Sequence, residues 1–236
     1  MNQKGLVHII LAIIIVALAS AVGYSTLIKD QTEQTSPTQN DNTPLQPALS
    51  PTATSGWKKY SGAALEFEYP SLISVKQDGE TVVLSHSIAY KHTDPCDFKG
   101  DTDTPPLDKL SDFGVSIMVS NKNLKDTVQS NQGSDYIVKN FFEDNILKLS
   151  EGFIDKFNIG SLSGFQITSG AEGCGIYTYY FPISSTNTLV VNRPFISEFI
   201  PVHGNYQTYL NLPGIIPPNQ EKEFFVKVLS SLKVKP

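Results

Sequence analysis

The sequence predicts an α+β domain, an antiparallel β-sheet flanked by helices, set behind an N-terminal transmembrane helix and a disordered linker. Three observations lead there. Residues 5–28 form an apolar run without a charged side chain. Residues 29–56 are dominated by Pro, Thr, Ser and Gln. From Trp57 onward, apolar and polar residues alternate in short runs bounded by turn residues, the pattern of half-buried strands.

The apolar run comes first. Its 24 residues lie between Lys4 and Lys29, and about 20 suffice to cross a hydrocarbon core as a helix. Residues 1–4 precede it with Lys4 and the α-amino group, whereas Asp30 and Glu33 accompany Lys29 after it. That bias favours a cytoplasmic N-terminus and an outside C-terminal part. A cleaved signal peptide is the main alternative, because Ala17-Leu-Ala19 and Ala19-Ser-Ala21 fit the small-x-small cleavage pattern. Apolar character continuing through Val22, Tyr24, Leu27 and Ile28 favours an anchor. The expected location is the cell membrane as a single-pass protein, or secretion if the segment is cleaved. Lys4-Gly5 before an apolar helix also resembles the start of a type IV pilin or pseudopilin. That family carries Glu at the fifth position after the cleaved Gly, where this chain has Ile10.

Pro37, Pro44, Pro47 and Pro51 punctuate the linker. It holds too little apolar surface to offset the entropy of ordering it. The prolines bias it toward extended conformations, as suits a spacer.

Residues 57–236 are long enough for one well-cored domain. Leu65, Phe67 and Tyr69 alternate with Glu66 and Glu68 before Pro70, which predicts a strand. Further strands are predicted at Glu80–His86, Phe113–Ser120, Gly164–Thr168, Ile176–Ile183 and Thr188–Asn192. Ser184–Asn187 reads as the hairpin loop between the last two. Helices are predicted over Ser134–Leu149 and Glu221–Leu232. In the second, Phe224, Phe225, Val228, Leu229 and Leu232 form one stripe. Asn219 or a neighbour would cap it, and Glu221 and Glu223 would favour its N-terminal dipole. Lys233–Pro236 suits a short edge strand.

Trp57-Lys-Lys-Tyr60, Leu65-Glu-Phe-Glu-Tyr-Pro-Ser71 and the terminal Phe224–Lys233 stretch resemble the PsbP-like superfamily. That resemblance implies an antiparallel sheet flanked by helices. The order of anchor, tether and domain is similar to many single-pass bacterial surface proteins. The shared motifs are structural, and Leu72-Ile73 stand where the family places Trp after "Tyr-Pro-Ser". Membership would imply no activity, because fold does not fix function.

The formal net charge is −5. Mild acidity argues against nucleic-acid binding, which needs a basic footprint. It also gives no reason for adhesion to anionic lipid. Cys96 and Cys174 are the two cysteines. Outside the cytoplasm an even count suggests a disulfide. The rival role, Cys174 as nucleophile, needs a base and an orienting partner, and no local motif links it to His86, His92 or His203. His86-x5-His92-x-Asp94 matches no zinc spacing, so exposed loop histidines are the simpler reading. Asp94, Asp97, Asp101, Asp103, Asp108 and Asp112 crowd one stretch. Asp97, Asp101 and Asp103 are the weak metal candidates, for Ca²⁺, against a solvated loop. Tyr177, Tyr179 and Phe181 would share one strand face, serving as core or as an aromatic binding face.

No phosphate-cradling Gly-rich loop, Gly-x-Ser-x-Gly elbow or Ser-x-x-Lys occurs. The leading expectation is a non-enzymatic binding or interaction module, partnered by the membrane through residues 5–28 and by a cell-surface protein or ligand, with no cofactor. The alternatives are an envelope hydrolase using Cys174 or a histidine, and a pseudopilin-like assembly subunit.

Overall fold

Alternating apolar residues pair off as a sheet-dominated fold in the computed structural model, which describes residues 56–97, 105–133, 135–201 and 204–235. The transmembrane segment predicted at 5–28 lies outside the described residues, as do residues 29–55 of the linker. Among the described residues no helix is long and apolar enough to cross a membrane.

In chain order the strands are β1 (Trp57–Ser61), β2 (Leu65–Pro70), β3 (Ser74–Asp78), β4 (Thr81–His92) and β5 (Leu107–Ser120). Helices α1 (Leu124–Gln132) and α2 (Tyr136–Phe141) follow, with a small hairpin of β6 (Phe142–Glu143) and β7 (Ile146–Leu147). Then come β8 (Ile154–Ile159), β9 (Leu162–Ala171), β10 (Cys174–Pro182) and β11 (Thr188–Pro194). A 3-10 turn (Ser197–Phe199), α3 (Tyr206–Leu210), α4 (Pro218–Ser231) and β12 (Lys233–Val234) close the chain.

Seven strands form the main sheet in the order β3-β4-β5-β11-β10-β9-β8, all antiparallel, and β1-β2-β12 form a second sheet. The main sheet is covered on both faces. On β10, Tyr179 and Phe181 join the core beneath α4 and the second sheet, while Tyr180 joins the cluster on the other face. On β11, Leu189 and Val191 face the first cluster and Val190 the second. Period-two geometry sends neighbours to opposite faces, so a doubly covered strand is apolar throughout.

The residues that carry the family resemblance meet in space. The Trp57 ring packs edge-on against Phe224 at 5.9 Å between centroids. Tyr60 stacks on Phe67 at 4.8 Å. The Lys227 ammonium lies 3.7 Å from the Trp57 ring centre. These side chains fasten the second sheet to α4.

Two elements differ from expectation. The helix predicted over Ser134–Leu149 is the single turn-and-a-half of α2, then a hairpin. Asp144 and Asn145 take positive φ values of 46° and 68°, the two-residue turn that right-twisted strands favour. A second helix, α1, precedes it where none was expected. Asn123 caps α1 by accepting from the Asp126 N–H, and Gly133 ends it at φ 62°. At α4 the cap is Pro217 rather than Asn219, with Pro218 opening the helix. A proline at the first position leaves no N–H of its own unsatisfied, and its fixed φ suits the start of a helix.

Candidate functional site

A cleft of about 800 Å³ opens where the ends of several strands leave a gap between the two sheets. Leu65, Val82, Val119, Ile183 and Val234 give it an apolar lining, and Gln77, Glu80, Asn121, Asn187 and Lys235 add polar groups. Its wall at Ile183–Asn187 is the predicted hairpin loop. There the Ile183 N–H donates to the Asn187 carbonyl at 2.9 Å, and the Ser184 hydroxyl accepts from the Asn187 N–H at 3.0 Å. A shallower cleft of about 490 Å³ shares Ile183 and Val234 and continues past β12. The Lys235 ammonium donates to Ser61 Oγ at 3.0 Å and to the Gly62 carbonyl at 2.8 Å.

The opposite end of β10 holds the cysteines. Cys96 and Cys174 are joined by a disulfide, with Cα atoms 5.7 Å apart. Beside it Gly170 and Gly175 face each other across β9 and β10. A Cβ on Gly175 would lie 2.3 Å from the Ser169 carbonyl, and Gly170 sits at φ 151°. A cleft of about 330 Å³ lies nearby, walled by Tyr177, Phe195, Phe199 and Pro218. Arg193 and Glu221 also line it. Arg193 Nε donates to Glu221 Oε1 at 2.9 Å, and a second bond joins Nη2 to Oε2. The guanidinium lies 4.6 Å from the Phe225 ring centre. Burial works against the Arg193 charge; the hydrogen bonds and charge of Glu221, with Tyr179, outweigh it and raise its pKa.

Between these ends, His86 Nδ1 donates to Asp112 Oδ1 at 2.6 Å. Asp112 Oδ2 accepts the Ile216 N–H at 2.8 Å. Asp112 is fully buried because the β4–β5 register slips at His86/Ser87. This bulge turns Asp112 inward beside Phe113. Among the described residues no Ser, Thr or Cys side chain hydrogen-bonds to His86.

No family model matches the chain, and no curated protein matches it. A solved structure of a protein from Bacteroides thetaiotaomicron VPI-5482 matches over 73% of this chain and 45% of its own, at 9% identity and a TM-score of 0.36. The present chain thus spans under half the length of that protein.

The predicted site residues fall in distinct places. Cys174 is bonded to Cys96, so it has no free thiol to act as a nucleophile. The aromatic row points inward: Tyr179 and Phe181 are buried against Phe225 and Phe157, while Tyr177 borders the 330 Å³ cleft and Phe181 the floor of the 490 Å³ one. The row therefore presents no exposed stacking face. His86 and His92 are not loop residues. Both lie on β4, and His92 is buried with Nδ1 2.9 Å from the Thr93 carbonyl. Asp112 is likewise core, not solvated loop. Of the metal candidates, Asp97 lies at the edge of the described residues and Asp101 and Asp103 lie outside them. Among the described residues no group of three His, Cys, Asp or Glu is placed to hold a metal. The large cleft was missed, since its lining comes from six separate strand ends. Its one signal was the loop at Ser184–Asn187.

Proposed function

We propose that the chain displays this domain outside the cytoplasm as a non-enzymatic binding module, with the large hairpin-end cleft as its ligand site. The observation that carries the reading is the cleft itself. Its volume, about 800 Å³, falls within the usual range for small-molecule sites, and its apolar walls with a few polar groups match their chemistry. It also lies away from the point where the chain enters. Trp57 pairs with Pro70 at one end of β1, and Tyr60 lines the cleft at the other, roughly 10 Å further on. The disulfide supports an oxidising compartment. The disulfide also takes up Cys174, the thiol that the hydrolase reading would use as its nucleophile.

The test uses the full chain in intact cells. Added protease should cut the linker and release the domain before lysis. A small neutral photoreactive probe, trifluoromethyl-phenyldiazirine, should label Val119 and Ile183, and Ala64→Trp should abolish that labelling. Ala64 is exposed, so the new ring fills the cleft without entering the core. Protection of the domain until lysis, or labelling confined to residues 5–28, would overturn the proposal.

A further inference from the structure

We infer that the cleft takes an anionic amphiphile, a single apolar chain ending in a carboxylate, with Lys235 as the group that receives the head. The inference rests on the reading of this cleft as a ligand site and names the chemistry of its ligand. The walls set the first half. Leu65, Val82, Val119 and Val234 offer no hydrogen bond, so the part of a ligand lying on them must be apolar.

Lys235 sets the second half. Its ammonium has three N–H donors. Two are held by neutral oxygens, Ser61 Oγ and the Gly62 carbonyl. Among the described residues no carboxylate lies within ion-pair distance of it. The outcome is a positioned cation at the edge of an apolar cleft, with one donor that none of the described residues takes up. Three other lysines differ in kind: Lys59, Lys139 and Lys148 each hold a carboxylate partner. Glu80, exposed on the cleft's other wall, would repel an anionic head and so leaves the Lys235 side as its place. A charge-assisted bond from a fixed ammonium is the stronger kind of hydrogen bond, and partial desolvation by the bound chain strengthens it further.

The experiment compares two photoreactive probes on the full chain in membranes, diazirine-bearing lauric acid and the matching uncharged alcohol. Cross-linked residues are mapped by mass spectrometry. Wild type should be labelled in the cleft by the acid at lower concentration than by the alcohol. Lys235→Gln should weaken acid labelling about tenfold, the size one partly exposed charge-assisted bond supports, and leave the alcohol within about twofold. Lys235→Arg should restore the acid. Ala64→Trp should remove both. Equal labelling by acid and alcohol in wild type, or no effect of Lys235→Gln, overturns the anionic head while the cleft as a ligand site stands. Cleft labelling by neither probe overturns both readings. Labelling by a diazirine phospholipid in preference to lauric acid makes the occupant membrane lipid, and overturns the single-chain carboxylate.

Discussion

At the scale of single residues, two buried carboxylates organise this domain, and each is answered by donors. Glu221 is 3% exposed and Asp112 is 0% exposed. An ionised carboxylate at such depth is costly unless its oxygens are bonded. Glu221 is met by the two-pronged Arg193 guanidinium, and Asp112 by His86 and the Ile216 N–H. The pairs do similar mechanical work. Arg193 on β11 holds the first turn of α4, and Asp112 on β5 holds the segment leading into that helix. Removing one partner should therefore be worse than removing both. Arg193→Met leaves the Glu221 charge buried and unpaired, at a cost of about 3–5 kcal/mol. Arg193→Met with Glu221→Leu should regain most of that loss, because two apolar side chains of similar volume replace the desolvated pair. Urea unfolding of the two variants distinguishes this. If the double variant is as unstable as the single one, the pair contributes net attraction rather than mutual compensation.

At the scale of elements, strand β10 shows both what the sequence reveals and what it hides. Its aromatic alternation marks a strand with two faces, and the strand forms where predicted. Which face meets solvent is not encoded in the strand itself. It depends on α4 covering Tyr179 and on α1 covering Tyr180, elements far away in the chain. The same limit hid the His86–Asp112 pair, since a bulge between strands some 26 residues apart decides which way Asp112 points. Helix α1 was missed because its stripe is thin: Thr127 and Val128 are its buried residues. Ser134–Leu149 was misread because apolar spacing in short runs fits helix and hairpin equally well. Burial of β10 also carries a pH prediction. Desolvation raises the pKa of both Tyr179 and Tyr180 above the ordinary value of 10.0. A tyrosine with a raised folded pKa contributes stability that is complete below its unfolded pKa and is lost as pH rises through the folded one. Stability should thus hold up to about pH 10 and decline above it. Unfolding should coincide with a late step in tyrosinate absorbance. Tyr180→Phe should delay that decline, although it forfeits the hydrogen bond from Gln132 at 3.1 Å. An early, gradual tyrosinate rise with no unfolding would mean that β10 is open to solvent.

At the scale of the whole molecule, the disulfide decides how independent the two ends of the main sheet are. Cys96 follows the long strand β4, and Cys174 opens β10. In the sheet order, β5 and β11 stand between those strands. The bond therefore ties the far end of the β4–β5 ribbon to the middle of the β8–β11 meander, across a sequence separation of 78 residues. Chain entropy predicts about 4 kcal/mol for closing a loop of that length, with strain and residual structure lowering the realised gain. The Cys96→Ser, Cys174→Ser variant should accordingly unfold at lower urea than wild type. The loss should be local in its first stage. The Cys96 N–H bond to Asp94 Oδ1 at 2.8 Å lies within the segment around Asp94–Asp97 itself, whereas the disulfide ties that segment to β10. The hairpin-end cleft lies at the other end of β10 and draws its walls from both sheets. Its photolabelling by the neutral probe should survive the double substitution at temperatures where the protein remains folded. Hydrogen exchange should then show early opening at Thr93–Asp97 and at the Ala171–Cys174 turn, with Val119 and Ile183 still protected or labelled as in wild type. Loss of cleft labelling in parallel with opening at the disulfide would mean that the two ends form one cooperative unit, and that the disulfide is part of the binding apparatus.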